Sequence, residues 1–162
     1  MKLNKTILAS LTAQVTKELY SAYLYRSLAS DMKNAGFRGY AHWLEKQYGE
    51  EVEHAEKIVG YIEDRGDVVD FGAIDAVKDH FTCPLATAKA ALAHEEYISD
   101  SIRTLFKQAR DEGDLETEVF LQWFITEQVE EEVNANDIVQ GFTAGKDCKG
   151  LQYMFDASLA KR

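Results

Sequence analysis

Apolar residues recur every three to four positions along most of this chain, and the repeat breaks only at short polar or glycine-bearing stretches. The pattern predicts a first helix from Thr6 to Lys33, stopped by Asn34-Ala35-Gly36, and a second from Phe37 to Arg65, ended by Gly66. A third starts at Pro84, a favoured first helical residue, and runs to Asp111. Gly113 breaks the chain, and a fourth helix runs from Asp114 to Val139. A turn over Gly141 to Gly145 then leads to a short helix from Lys149 to Ala160, with Leu151, Phe155 and Leu159 on one face. Between the second and third helices, GDVVDFGAIDAVKDHFTC has little periodicity and is long enough to run the length of a bundle. The expected fold is all-α: a four-helix bundle with one long crossover and a short fifth helix.

Each long apolar stripe is interrupted near its middle by a glutamate. Glu18 sits among Leu11, Val15, Ala22, Tyr25 and Ala29. Glu51 sits among Leu44, Tyr48, Ala55, Ile58 and Ile62, with His54 one turn later at the stripe's edge. Glu95 lies among Ala88, Ala91, Leu92, Ile102 and Phe106. Glu131 lies among Phe120, Phe124, Ala135 and Ile138, with Glu127 and Gln128 a turn earlier.

Burying a lone carboxylate costs several kcal/mol, more if it stays ionised. Lys and Arg offer no relief on these faces, and none occurs between Asp111 and Gly145. Shared protons or a bound cation remain as compensation. About four carboxylate charges would balance two divalent ions, and oxygen ligands with one imidazole suit iron or manganese better than structural zinc. A Glu-x-x-His on one bundle helix, with inward Glu from its neighbours, is a di-iron carboxylate pattern.

The chain has 162 residues, read as one domain over 1–162, with a net charge of -10 and a pI near 4.8. That balance argues against nucleic acid and anionic membranes as partners and favours cations. Cys83 and Cys148 form no Cys-x-x-Cys pair and read as free thiols in a reducing compartment. The opening MKLNKTILASLTA has too short and broken an apolar run for a signal peptide, so a cytoplasmic location is expected. His42, His80 and His94 share no face with the four glutamates and read as ordinary structural or surface residues.

The stretches KELYSAYLY, YGEEVEHAEK, HEEYIS and FLQWFITEQVEEE, and the spacing between them, resemble bacterial non-haem ferritin over essentially the whole chain. The resemblance implies a ferritin-like bundle that oxidises Fe(II) with oxygen or hydrogen peroxide and stores the product as ferric oxyhydroxide inside a homo-oligomeric 24-mer shell. It assigns Glu18, Glu51 and His54 to a first iron and Glu51, Glu95 and Glu131 to a second, with Glu51 bridging. Gln128 would hydrogen-bond beside that pair, and Tyr25 would stand next to the centre as an electron donor. Glu50, Glu127 and Glu130 match a third, weaker iron site; Glu50 flanks Glu51, and Glu130 flanks Glu131.

Two departures separate the chain from neighbouring families. Val52 stands where bacterioferritins carry a haem-ligating Met, so no haem is expected. Gln128-Val-Glu-Glu131 replaces a second Glu-x-x-His, so the centre is asymmetric. The short last helix would pack around four-fold axes of the shell, or else cap its own bundle. The acidic run from Asp111 to Phe120, with Glu118 foremost, is a candidate iron entry route or simply a solvated face. The alternatives are a discrete di-iron oxidoreductase or peroxidase without storage, and a plain bundle with protonated glutamates.

Overall fold

The computed structural model describes residues 2–161. Five helices follow in order: α1 (Lys5–Asn34), α2 (Arg38–Asp64), α3 (Pro84–Asp111), α4 (Leu115–Ala144) and α5 (Lys149–Leu159). α1 packs mainly on α2, α3 packs mainly on α4, and the two hairpins join through α1 and α3. The Asn4 side chain caps α1 by accepting from the Ile7 amide (2.8 Å), and Asp114 caps α4 by accepting from Thr117 (3.0 Å). Both hairpins turn at glycines in the left-handed region, Gly36 (φ 89°) and Gly113 (φ 70°). There the amides of Phe37 and Asp114 reach back to the carbonyls of Met32 and Ala109.

The expected elements are present, with one difference of substance. α4 passes straight through Gly141 and ends at Ala144, beyond the expected stop at Val139. Phe142 is fully buried there, and its packing outweighs the low helix propensity of one glycine. On α2, the residue inside the stripe is Gln47, which is fully buried, whereas Tyr48 is 40% exposed.

α5 docks on α2 and α4. α2 has no capping side chain of its own, and the buried Asp156 of α5 supplies one. Its carboxylate accepts from the amides of Tyr40 (2.7 Å) and Gly39 (3.2 Å). A Cβ on Gly39 would lie 1.8 Å from the Asp156 carbonyl oxygen. Gly39→Ala should therefore push α5 off and destabilise the protein by roughly 1–3 kcal/mol, read by chemical denaturation. An unchanged midpoint would mean that this docking is not a rigid one. The stripe expected on α5 divides between two surroundings. Phe155 and Leu159 pack on the bundle, with Phe155 edge-on to Phe142, while Leu151 is 49% exposed, and Met154, outside that stripe, is 71% exposed.

The bundle interior holds two apolar clusters. One gathers Leu11, Val15, Ile58, Ile62, Ile102 and Leu121. The other gathers Leu28, Met32, Leu44, Ala91, Ile138 and Phe142. Between them lies a polar layer of Gln14, Glu18, Ser21, Gln47, Glu51, His54, Glu95, Ser99, Gln128 and Glu131, all buried. No helix among the described residues is long and apolar enough to cross a membrane.

Candidate metal centre

The polar layer draws one inward carboxylate from each long helix: Glu18 from α1, Glu51 from α2, Glu95 from α3 and Glu131 from α4. None is more than 3% exposed. His54, one turn after Glu51, puts Nδ1 3.4 Å from a Glu51 oxygen and Nε2 3.9 Å from Glu127 Oε1. Trp123 and Phe124 wall the imidazole edge-on, at ring distances of 5.5 and 6.1 Å.

Donors hold three of the four carboxylates in place. Gln14 Nε2 donates to Glu18 (2.9 Å), and Gln47 Nε2 donates to Glu131 (2.7 Å). Glu95 accepts from the Tyr25 hydroxyl (2.5 Å) and from Gln128 Nε2 (3.2 Å), which also faces Ser99 Oγ. Glu18 Oε2 is buried with no hydrogen-bond partner.

Among the described residues, no Lys or Arg forms an ion pair with Glu18, Glu51 or Glu95, and Lys17 favours ionisation of Glu18 only as the weakest of the influences on it. Lys17 turns to Ser101, and Lys57 lies over the Trp123 ring at 4.2 Å. The carboxyls therefore resist ionisation. Burial, reinforced by repulsion from Glu95, pushes Glu18 up to about 7 despite the bond from Gln14. Burial also holds Glu51 well above the usual carboxylate range, with Glu95, Glu18 and Glu131 adding repulsion. Glu95 is raised by burial against the opposing bonds from Tyr25 and Gln128. Burial, then Lys57, depresses His54 to about 4, so its ring is neutral and able to ligate.

Two sets of ligand atoms converge within 4.8 Å: Glu18 with Glu51 and His54, and His54 with Glu127 and Glu131. A neutral imidazole has one free lone pair, so His54 can serve one of these sets at a time. Glu95 belongs to neither set; its oxygens are engaged by Tyr25 and Gln128. Glu127 is partly buried, and its carboxyl is raised by burial and then by Glu130 and Glu50, so those three form an acidic group beside the centre. Glu130 itself is exposed and Glu50 half-buried.

The donor set is hard oxygen plus one imidazole; both cysteines are exposed elsewhere. It suits a ferrous or manganous ion better than a thiophilic one. Pattern reading from sequence missed Gln14 and Gln47. The available signal was an amide four residues before Glu18 and Glu51, on the same face of each helix. His94 keeps away from the centre: its Nε2 meets Ser21 Oγ at 2.7 Å, and burial lowers it to about 4.

Comparison with known proteins agrees with this architecture. The model of the ferritin-like domain matches residues 8–144. A bacterial non-heme ferritin of Staphylococcus epidermidis is 36% identical over 161 residues, covering 99% of this chain and 96% of its own. One from Bacteroides fragilis is 34% identical over 153 residues, covering 94% and 95%. An open-pore ferritin from the hyperthermophilic archaeon Archaeoglobus fulgidus superposes with a TM-score of 0.97 at 34% identity, with 99% of each chain covered. The bundle with its single crossover, the buried carboxylate layer and these full-length matches together place the chain in the ferritin family.

Proposed function

We propose that this chain is an iron-storing ferroxidase. Fe(II) is its substrate, bound at an intra-subunit centre by Glu18, Glu51 and His54 and by Glu51, Glu95 and Glu131. The observation that carries the reading is the buried layer of four carboxylates, one from each long helix, with His54 one turn after Glu51 among them. Two ferrous ions balance the carboxylate charge and displace the protons that burial favours on Glu18, Glu51 and Glu95. One electron from each ion, with two protons, reduces dioxygen to hydrogen peroxide; hydrogen peroxide can itself serve as the oxidant. Hard carboxylate ligands favour the ferric product.

Tyr25 and Gln128 orient Glu95 through the bonds described, and Tyr25 is close enough to donate an electron. Glu50, Glu127 and Glu130 hold a third, weaker iron beside the centre. Mineral storage needs a cavity, which a homo-oligomeric shell, a 24-mer in this reading, encloses. The exposed Leu151 and Met154 of α5 give a neighbouring copy an apolar surface to cover. Glu118 accepts from Arg110 (2.7 Å), so an entry role for it would require that pair to open. The protein would work in the cytoplasm.

The test is iron retained after adding excess Fe(II) in air to the metal-free protein, followed by size exclusion. Iron far beyond what the ligands can hold, co-eluting with a large assembly, is the expected result. Iron at the level of the ligands alone, on a small species, would indicate a discrete di-iron oxidoreductase instead. No retained iron would leave a plain bundle.

A further inference from the structure

A groove between α1 and α3 is lined in part by Lys17, Ser101 and Gln14, and from it a line of hydrogen bonds runs to Glu18. Lys17 Nζ donates to Ser101 Oγ (2.5 Å), Ser101 Oγ donates to Gln14 Oε1 (2.6 Å), and Gln14 Nε2 donates to Glu18 Oε1 (2.9 Å). The direction of this line is set from the Lys17 end, because an ammonium can only donate. The Ser101 hydroxyl, receiving from Lys17, must send its hydrogen to the Gln14 oxygen. That sets the Gln14 amide with its NH2 toward Glu18. Gln14 is 2% exposed, so no solvent competes for the amide.

Without the Ser101 hydroxyl, nothing in this line distinguishes the two amide orientations at the α3 end. The flipped amide would present its oxygen to Glu18, and once that carboxyl is ionised, as a metal ligand must be, two acceptors would stand face to face. With the amide correctly set, Oε1 of Glu18 is held by Gln14 while Oε2, buried and accepting from no nitrogen or hydroxyl donor, faces the neighbouring ligand Glu51 and is free for a cation once the proton the two carboxyls share has left.

We propose that Gln14 and Ser101 are positioning residues for the metal centre. Together with Lys17 they fix the Glu18 carboxylate so that Oε2 is the oxygen offered to the incoming cation. This inference rests on the reading of the buried layer as a divalent-metal site. Hydrogen-bonded partners behind metal ligands carry about 10–100-fold of affinity. Ser101 is partly exposed, so its substitution leaves the core intact.

The experiment compares the full-length parent, Ser101→Ala and Ser101→Thr. Each is titrated with Co(II) without oxygen, followed by its visible d–d spectrum, and each is unfolded chemically in a chelator. Ser101→Ala should bind Co(II) about tenfold more weakly and with an altered spectrum, at nearly parental metal-free stability, while Ser101→Thr restores both. Parental affinity and spectrum in Ser101→Ala would overturn the inference and leave the metal centre standing. Weak binding in both variants, in step with lost metal-free stability, would also overturn it, because the hydroxyl would then serve only to hold α1 to α3. Absence of Co(II) binding by the parent would overturn the metal-centre reading itself, and this inference with it.

Discussion

Glu51→Gln should slow Fe(II) oxidation by at least about 100-fold while the helices and the oligomer persist; that is the upper end of what even indirect partners of metal ligands contribute. The substitution keeps the side chain's volume and removes its charge, so packing is not the variable. Glu51 has a crowded electrostatic position in the layer, repelled by Glu95, Glu18 and Glu131 and 3.4 Å from His54. In the proposed centre it is the ligand common to both irons, so its loss affects both at once. The same crowding means that the metal-free variant should be more stable than the parent, because a buried group that resists ionisation has become neutral. His54→Ala should also lose the fast oxidation, but with some loss of stability, since it leaves a cavity between Trp123 and Phe124. Stopped-flow oxidation kinetics and thermal melts of the same samples would decide. Oxidation by Glu51→Gln at the parental rate would place the chemistry elsewhere.

The metal-free protein should lose stability as the pH rises from about 5 to about 7.5, and a divalent ion should restore it. The folded-state value of Glu18 is about 7, above the ordinary 4.5. Its contribution is therefore complete below about 4.5 and is lost as the pH rises through 7. Glu51 and Glu95 are raised as well and act in the same direction. Glu18 alone corresponds to roughly 3 kcal/mol when fully expressed.

His54 and His94 oppose this on the acid side. Both are lowered to about 4 from an ordinary 6.5, so their contribution is complete above 6.5 and lost as the pH falls toward 4. Three raised carboxyls outweigh two lowered imidazoles between about pH 5 and 6.5, and above 6.5 only the carboxyl loss remains, so the metal-free optimum should lie near pH 5. An ion that binds the ionised carboxylates removes the loss at higher pH. At 100 times its dissociation constant it adds about 2.7 kcal/mol. For a chain of this size that is roughly 5–10 °C in Tm. Melts in chelator and in Mn(II) at both pH values would show it. A metal-free Tm that climbs steadily up to pH 7.5, or one that Mn(II) does not move there, would contradict the charge accounting of the buried layer.

The four inward glutamates were legible because a carboxylate in an apolar helical stripe conflicts with the cost of burying it. Four such conflicts at matching places on four helices point to one site. Helix ends were legible where a residue type has a single strong reason to stand, as at Pro84, Gly36 and Gly113. Gly141 misled: a glycine read as a stop lies inside α4, because Phe142 beyond it has a place in the core. Gln14 and Gln47 escaped notice because a neutral amide in a stripe conflicts far less with burial than a charge does. On α2 one member of the stripe was misplaced: Gln47 rather than Tyr48 faces inward, while Leu44, Ala55, Ile58 and Ile62 are buried as expected.

Periodicity acts along one helix, so the sequence by itself determined the helical elements, the face each one buries and the residue on each face whose charge needs compensation. Which side chains meet across helices was decided only in the tertiary structure. Tyr25 reaches Glu95 across 70 residues, Gln47 reaches Glu131 across 84, and His54 stands between Glu51 and Glu127. The reason is physical: rotation and shift of packed helices set those distances, and a change of a single ångström makes or breaks a hydrogen bond without altering the hydrophobic pattern that encodes the helices.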